Sequence, residues 1–163
     1  MKTVLSGLWT GFMQPMLQRP KRIQFAALCY RIESSGKKIL LITSRDTGRW
    51  IIPKGWPIAG TSSAGTALQE AWEEAGVREG DAETDALGTY TYEKGFSSGW
   101  SMPIETIVYP VAVTRLSNAF PEASERDRKW VSPTEAANLI HEPELKQLLT
   151  DFDAHRIPTP ATV

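Results

Sequence analysis

Apolar runs in the first part of the chain predict β-strands. Residues 24–32 are largely apolar, residues 33–36 are a turn signal, and residues 38–43 form a second apolar run. This order predicts a β-hairpin with a loop longer than two residues. The apolar residues 50–52 predict a short strand that stops at Pro53, because proline cannot donate a hydrogen bond within a sheet.

The middle of the chain has the apolar spacing of an amphipathic helix. After residues 55–61, which are rich in glycine and proline, apolar residues recur at intervals of three and one. Ser62 or Ser63 is a typical N-cap, and Gly76 stands where the end of a helix often needs a left-handed residue. One helix is therefore predicted between these caps. Its apolar positions are Ala64, Ala67, Leu68, Ala71, Trp72 and Ala75.

The second half of the chain predicts more strands. Residues 87–92 and 129–131 are strand-like, and residues 104–116 are strongly so. Pro110 lies inside this last run, which predicts a bend or an edge position. The intervening residues 93–103 contain glycines and serines and predict a mobile loop.

Two helices are predicted near the C-terminus. Ser132 is followed by Pro133 at the first helical position and by Glu135 three residues after the cap, which is a capping-box pattern. A last helix is predicted over residues 143–152. Mixed strands with a few helices predict an α/β sandwich.

Composition narrows the class of protein. The chain has 163 residues and a formal net charge of -1, which predicts one globular domain over residues 22–163 after a poorly ordered arm at residues 1–21. The near-neutral charge argues against a nucleic-acid coat, and no apolar run is long enough to span a bilayer. The one cysteine, Cys29, lies in an apolar run and is expected to pack in the core, in a reducing, cytoplasmic compartment.

Three glutamates on the predicted helix are the strongest candidates for chemistry. Glu73 and Glu74 follow Glu70 by three and four residues, so the three carboxylates fall on one face and repel one another. No lysine or arginine lies between Thr61 and Val77 to offset them. The spacing alone leaves two readings open, a solvated acidic face and a site for a hard divalent cation.

The segment from Gly55 to Val77 resembles the Nudix box. Gly55 fills the first position of that pattern, and residues 70–77, Glu-Ala-Trp-Glu-Glu-Ala-Gly-Val, match its end. The resemblance implies a Nudix α/β/α sandwich with a mixed sheet and hydrolysis of a phosphoanhydride bond. It implies Mg²⁺, or alternatively Mn²⁺, held by the catalytic glutamates and by the Gly55 carbonyl. The implied catalytic residues are Glu70, Glu73 and Glu74.

Two positions depart from the box. Thr61 stands where the family has glutamate, and Gln69 where it has arginine. In the family these two residues form an ion pair that supports the metal site. We expect a hydrogen bond between Thr61 and Gln69 to replace it as support for the metal ligands.

Outside the box the chain resembles the branch that contains the diphosphoinositol polyphosphate phosphohydrolases and dinucleoside polyphosphate hydrolases. The resemblance lies in residues 26–31, 44–50 and 126–130. It implies a small-molecule polyphosphate substrate, whose phosphates would be held by arginines and a lysine. The alternative for each arginine is a solvated surface charge. These residues are Arg31, Arg45, Lys54 and Arg126.

Several alternatives stay open at this point. The general base is either Glu74 or Glu70, or an acidic residue from a distant loop, namely Glu93, Glu122 or Glu125. Trp56, Phe96 and Trp100 are candidates to stack on a base or to line a pocket mouth. The glycine-containing segment 60–66 lacks the lysine of a phosphate-binding P-loop. A Nudix-fold sensor that binds a nucleotide without cleaving it is one alternative function, and an enzyme that removes pyrophosphate from RNA 5′ ends is another.

Overall fold

A computed structural model describes residues 22–154 of the protein. The arm predicted for residues 1–21 lies outside the described residues, as do residues 155–163. The described part of the chain forms eight strands and three helices. In chain order these are β1 (Ile23–Glu33), β2 (Gly36–Thr43), β3 (Trp50–Ile51), β4 (Lys54–Gly55), α1 (Ser63–Ala75), β5 (Val77–Ala82), β6 (Gly88–Gly95), β7 (Ser101–Leu116), β8 (Arg128–Val131), α2 (Pro133–Leu139) and α3 (Pro143–Ala154).

The eight described strands belong to one mixed sheet. Its centre is the parallel pair of β1 and β7, which runs from Ile23 opposite Glu105 to Tyr30 opposite Ala112. The other side of β1 pairs with β4 and β2, and the other side of β7 pairs with β6 and β5, all antiparallel. The strands β3 and β8 pair with opposite sides of β2, since Ile42 lies opposite both Ile51 and Arg128.

Hydrophobic cores cover both faces of this sheet. Alternate β1 residues point to opposite faces, so Leu28 packs with α2 and α3, whereas Ala27 and Cys29 pack with α1. Burial on both faces explains the continuous apolar run of β1. The helices lie on both sides of a mixed sheet, which confirms the predicted α/β/α sandwich. No helix within residues 22–154 is long and apolar enough to cross a membrane.

The caps of α1 confirm the predicted helix. The Ser62 side chain accepts a hydrogen bond from the Gly65 N–H at 3.0 Å. Gly76 follows the helix with a φ of 72°, a conformation that glycine adopts without steric cost. A side chain at Gly76 would also collide with the Ser117 carbonyl, because a Cβ built there lies 2.6 Å from that oxygen. The Gly76 carbonyl accepts from the Ser117 N–H at 2.8 Å, so the loop after β7 is fastened to the end of α1.

The loop predicted for residues 93–103 is wrong. Lys94 pairs with Met102 and Gly95 with Ser101, so β6 and β7 continue as a hairpin until only residues 96–100 remain between them. The glycines and serines of the segment obscured the alternation of larger residues that marks the strands. The sequence also gave no prediction of β5, whose polar and exposed residues lack a strand pattern.

The edge position predicted for Pro110 is also wrong, because β7 is central. Pro110 lies opposite Leu28 on the β1 side. On the other side, β6 pairing ends at Val108 and β5 pairing begins at Val111. The Pro110 carbonyl accepts from the Glu83 N–H at 2.9 Å. A strand residue directs its N–H and C=O to the same side, so the N–H that proline lacks falls in the gap between two partner strands.

Candidate active site

The acidic face of α1 is held against β4. Ala67 and Ala71 of the apolar stripe are fully buried, which fixes the rotation of the helix about its axis. Glu70 and Glu74 thereby face the short strand β4. A Cβ built on Gly55 would lie 2.0 Å from Oε1 of Glu70. Only glycine therefore lets this carboxylate lie against the backbone.

The Glu74 carboxylate is buried and is held by two donors. Oε1 accepts a hydrogen bond from Nη2 of Arg126 at 2.7 Å, and Oε2 accepts from the backbone N–H of Lys54 at 3.0 Å. Arg126 is itself fixed, because its side chain is only 4% exposed and Nη1 donates to the Thr43 carbonyl at 2.9 Å. Glu74 is thus oriented by groups from separate parts of the chain.

Burial raises the pKa values of two of these glutamates, Glu70 and Glu74. Partial burial, followed by the negative charges of Glu74 and Glu73, raises the pKa of Glu70 to about 7. Burial also raises the pKa of Glu74, although Arg126 and the N–H of Lys54 oppose this rise. Carboxylates crowded in this way are stabilised by a bound proton or a bound cation.

A fourth carboxylate, that of Glu122, reaches the same cluster from the loop between β7 and β8. Its backbone N–H donates to the Glu73 carbonyl at 3.1 Å. Its Oε1 lies 2.9 Å from Nη1 of Arg45, and its Oε2 lies 3.4 Å from Nε of Arg126. Its negative charge contributes to the raised pKa of Glu70. We call Glu70, Glu73, Glu74 and Glu122 the carboxylate cluster.

The other two acidic loop residues have different surroundings. Glu93 accepts a hydrogen bond from the Ser101 hydroxyl at 3.0 Å on the β6–β7 hairpin. Glu125 lies 3.6 Å from Nη1 of Arg45. Of the three residues that stayed open as a distant general base, Glu122 is the one whose charge acts on both Glu70 and Glu74.

A cavity of about 510 Å³ opens beside the carboxylate cluster, and Glu74 is the helix glutamate that lines it. Its charged lining consists of five cationic and four acidic side chains, and the cations suit an anionic ligand. The cationic lining residues are Arg45, Arg49, Lys54, Lys94 and Arg126, and the acidic ones besides Glu74 are Asp46, Glu93 and Glu142.

One wall of the cavity is built around Lys54 and Tyr92. Nζ of Lys54 lies 4.9 Å from the ring centroid of Tyr92, and the Tyr92 hydroxyl donates to Oε1 of the buried Gln24 at 2.7 Å. Burial lowers the pKa of Lys54, against the opposing effect of Glu74 and Glu142. Burial raises the pKa of Tyr92 to about 12, so its hydroxyl remains a donor at neutral pH.

The structure brings Arg45 and Lys54 to the cavity, but it does not bring Arg31 there. The Arg31 guanidinium pairs with Glu33 and lies 4.2 Å from the ring centroid of Trp130. Its contact with phosphate therefore stays a prediction. Arg126 does line the cavity, but its guanidinium is already engaged, so its observed part is to hold Glu74.

The predicted hydrogen bond between Thr61 and Gln69 is wrong for the described structure. Nε2 of Gln69 donates instead to Oε1 of Glu73 at 2.7 Å, one helical turn away. The Thr61 methyl group lies close to Gly65, where a built Cβ would be 2.9 Å from it. Gln69 thus contacts one of the predicted metal ligands directly.

The carboxylate oxygens of the cluster are chemically suited to a divalent cation, but their present arrangement does not form a metal-binding group. Among residues 22–154, no group of three or more acidic, histidine or cysteine side chains is arranged to hold a metal ion. In the described structure, the carboxylates of Glu74 and Glu73 accept hydrogen bonds from Arg126, from the Lys54 N–H and from Gln69. The crowded carboxylate oxygens are nevertheless the hard ligands that Mg²⁺ and Mn²⁺ prefer.

Several lining residues were missed in the sequence. Lys94 was assigned to a loop, although Tyr90, Tyr92 and Lys94 alternate as one face of a strand does. Gln24 is a single polar residue beside an apolar run, which is a weak signal. Arg49 lies in the segment 44–50 that resembles the polyphosphate hydrolase branch, but no role was predicted for it. Glu142 carried no pattern that would distinguish it from a surface charge.

The family of the chain follows from comparison with known proteins. The NUDIX domain family matches residues 22–152, and the chain belongs to this family. Nudix hydrolases generally use divalent metal ions. The predicted resemblance is confirmed, as is the prediction of a Nudix-type hydrolase.

Named relatives support this assignment. "Nudix hydrolase 21, chloroplastic" of Arabidopsis thaliana is 33% identical over 126 residues, which are 76% of this chain and 61% of that protein. The chain therefore spans less than two thirds of this relative. "Diphosphoinositol polyphosphate phosphohydrolase 3-beta" of Homo sapiens is 28% identical over 138 residues, 82% of this chain and 79% of that protein. The solved structure of an Ap4A hydrolase from C. elegans has the same fold, with a TM-score of 0.62 at 19% identity over 82% of this chain and 97% of that one.

Proposed function

We propose that this protein hydrolyses a phosphoanhydride bond in a nucleoside or inositol polyphosphate and depends on a divalent metal ion, Mg²⁺ or Mn²⁺. The observation that carries the proposal is that Glu74 of the carboxylate cluster lines a cavity whose wall also holds five cationic side chains. A polyphosphate suits this combination, because its charge matches the cations and because it binds magnesium in solution. Relatives named for diphosphoinositol polyphosphate and Ap4A hydrolysis agree with the substrate class.

Glu70, Glu73 and Glu74 would hold the metal, together with the Gly55 carbonyl. When bound, the metal would neutralise phosphate charge and lower the pKa of a water molecule. A carboxylate has two oxygens with two lone pairs each, so Glu73 and Glu74 could bind a cation beside the hydrogen bonds that they accept. Arg126 and the N–H of Lys54 restrict Glu74 to a narrow range of orientations.

The remaining residues position the substrate. Arg45 and Lys54 lie on the cavity wall, where they would bind the phosphates that do not react. The attacking water forms a new P–O bond, the bridging P–O bond breaks, and a carboxylate of the cluster accepts the proton released by the water. The leaving phosphate departs with the electron pair of the broken bond.

A substrate panel tests this proposal. Phosphate or nucleotide release would be measured from diadenosine polyphosphates, diphosphoinositol polyphosphates, nucleoside triphosphates and ADP-ribose, with Mg²⁺ and with a chelator, for wild type and Glu74→Gln. We expect metal-dependent turnover of one of these classes and its loss in the variant. Absence of turnover on the whole panel would reject the proposal.

A sensor that binds without cleaving is the second candidate. The observation in its favour is that Glu73 accepts a hydrogen bond from Gln69 and Glu74 accepts one from Arg126. Tight binding of one compound of the panel without turnover would support the sensor function.

A further inference from the structure

The tip of the β6–β7 hairpin carries two stacked aromatic rings. The centroids of Phe96 and Trp100 lie 4.8 Å apart with an interplanar angle of 23°. Two backbone hydrogen bonds close the turn, from the Phe96 N–H to the Trp100 carbonyl and from the Gly99 N–H to the Phe96 carbonyl, both 2.9 Å. Gly99 has a φ of 86°, which glycine tolerates. The backbone of the turn therefore holds the two rings next to each other.

These rings remain exposed although they are large and apolar. Phe96 is 37% and Trp100 is 54% exposed. Trp56, in the loop after β4, is also exposed, and its ring centroid lies 5.5 Å from Nζ of Lys94. We call Trp56, Phe96 and Trp100 the aromatic patch. Of these three, Phe96 lines the cavity, whereas Trp100 stacks on Phe96 and Trp56 contacts the lining residue Lys94. Exposed aromatic side chains at a cavity indicate a ligand contact more than a packing need.

The patch reaches the cavity at Phe96, the residue after β6. Residues 92–97 all line the cavity, and within this run Tyr92, Lys94 and Phe96 have the spacing of two that puts strand side chains on one face. Strand geometry puts Phe96 about 13 Å beyond Tyr92. The Tyr92 end lies beside Lys54. Along this wall of the cavity, the cationic side chains that could bind phosphates are thus followed by the aromatic rings that could bind an apolar group.

We propose that the aromatic patch binds the nucleobase of the substrate, and that the substrate is therefore a dinucleoside polyphosphate rather than a diphosphoinositol polyphosphate. This inference rests on the proposed function. A base has a flat π face that stacks on aromatic rings regardless of its identity. A phosphorylated inositol ring has no such face. It would present its phosphates to the aromatic side chains, whose only hydrogen-bond donors are the indole N–H groups of the tryptophans.

The test uses the full chain with Phe96 and Trp100 both replaced by alanine, and a matched variant, Phe96→Tyr with Trp100→Phe, that keeps both rings aromatic. Steady-state kinetics would be measured with diadenosine tetraphosphate and with a diphosphoinositol pentakisphosphate. Ile32→Ala is the control for removal of an exposed apolar side chain, because Ile32 is 57% exposed and does not line the cavity. Circular dichroism melting checks that each variant is folded.

The alanine pair should lower kcat/KM for diadenosine tetraphosphate about tenfold or more, mainly through KM, because base stacking acts equally on substrate and transition state. It should leave the inositol compound within about twofold, and the aromatic variant and Ile32→Ala should behave like wild type. Equal losses on both compounds, or no loss on the dinucleotide, would overturn the inference.

A binding measurement separates this inference from the proposed function. Calorimetry with ADP and with inorganic tripolyphosphate requires no turnover. Weaker binding of ADP alone by the alanine pair would support the aromatic patch even if no substrate were cleaved. Unchanged ADP binding would reject the patch even if the protein proved to be an active hydrolase.

Discussion

Individual side chains in the site depend on one another for their positions. Glu70 can lie against β4 only because Gly55 has no side chain, and Glu74 is held by Arg126 and by the Lys54 N–H. The predicted residues Glu70, Glu74 and Gly55 are thus brought together. The part played by Arg126 was not predictable, because its partner lies 52 positions away in the chain. The Gln69 contact with Glu73 was likewise decided by side-chain conformation and not by sequence spacing.

Substitution of Gly55 by alanine should abolish most of the activity. The added Cβ would lie 2.0 Å from Oε1 of Glu70, so the carboxylate must move, and a displacement of about 1 Å is able to cost about a hundredfold in rate. Hydrolysis rates and urea unfolding would be measured together.

Gly80→Ala is the matched control for that substitution. It also adds a methyl group to a strand, and the added Cβ would lie 3.1 Å from the Ala112 carbonyl oxygen and from Cγ1 of Val77, away from the glutamates. It should retain the wild-type rate. Loss of activity in both variants, or in neither, would contradict the positioning argument.

Replacement of Arg126 by methionine should destabilise the protein by about 3–5 kcal/mol, because a buried carboxylate then loses its charged partner. The side chains of Arg126 and Glu74 are 4% and 11% exposed. Urea unfolding would measure the change in the free energy of unfolding. The double variant with Glu74→Gln should recover part of that loss, since the uncompensated charge is gone. Additive effects of the two substitutions would show that the pair is not coupled.

At the level of elements, the helix α1 and the β6–β7 hairpin illustrate what the sequence can and cannot predict. Helix α1 has caps and an apolar stripe that agree with each other, and its predicted bounds are confirmed. The end of the hairpin could not be predicted from the sequence, because its glycines and serines show no alternation of apolar and polar residues. Its strands are defined only by the pairing between β6 and β7. Pro110 led to a wrong prediction because proline, which lacks an N–H, is usually found at the edge of a sheet. Here it lies in a central strand, at the gap between the partner strands β6 and β5, where no N–H is needed.

The N-cap of α1 gives a stability prediction. Ser62→Ala removes the acceptor for the Gly65 N–H and should lower the free energy of unfolding by about 1 kcal/mol. Ser63→Ala is the control, because Ser63 is the first residue of the helix and not its cap, and its effect should stay within about 0.5 kcal/mol. Equal effects in urea unfolding would refute the capping role.

The buried strand β1 gives a prediction about the thiol of Cys29. Burial raises its pKa to about 12, and only the thiolate reacts as a nucleophile. The folded protein should not react with a thiol-specific reagent at about pH 8, whereas the urea-unfolded chain should react with one equivalent. Rapid labelling of the folded protein would show that β1 opens or that Cys29 is exposed.

At the scale of the whole molecule, the two faces of the sheet have different roles. On one face, α1 holds Glu70 and Glu74 against β4, and on the other the core under α2 and α3 stabilises the sheet. The sandwich, the family and the glutamate helix were predictable, because each depends on local pattern or on a long motif. The cavity wall was only partly predictable, because it is assembled from β1, β6, the loop before β3 and residues preceding α3. A cytoplasmic location stays a prediction.

The most direct test of the account is the dependence of turnover on Mg²⁺ concentration for the compound that the substrate panel selects, in wild type, Glu70→Gln and Glu79→Gln. Glu79 is the control, because it pairs with Arg115 on β5 and β7 and does not belong to the carboxylate cluster. We expect wild type and Glu79→Gln to be activated alike by Mg²⁺, and Glu70→Gln to lose about a hundredfold or more in rate. Turnover that persists without a divalent metal, or that survives in Glu70→Gln, would contradict a hydrolase based on the carboxylate cluster.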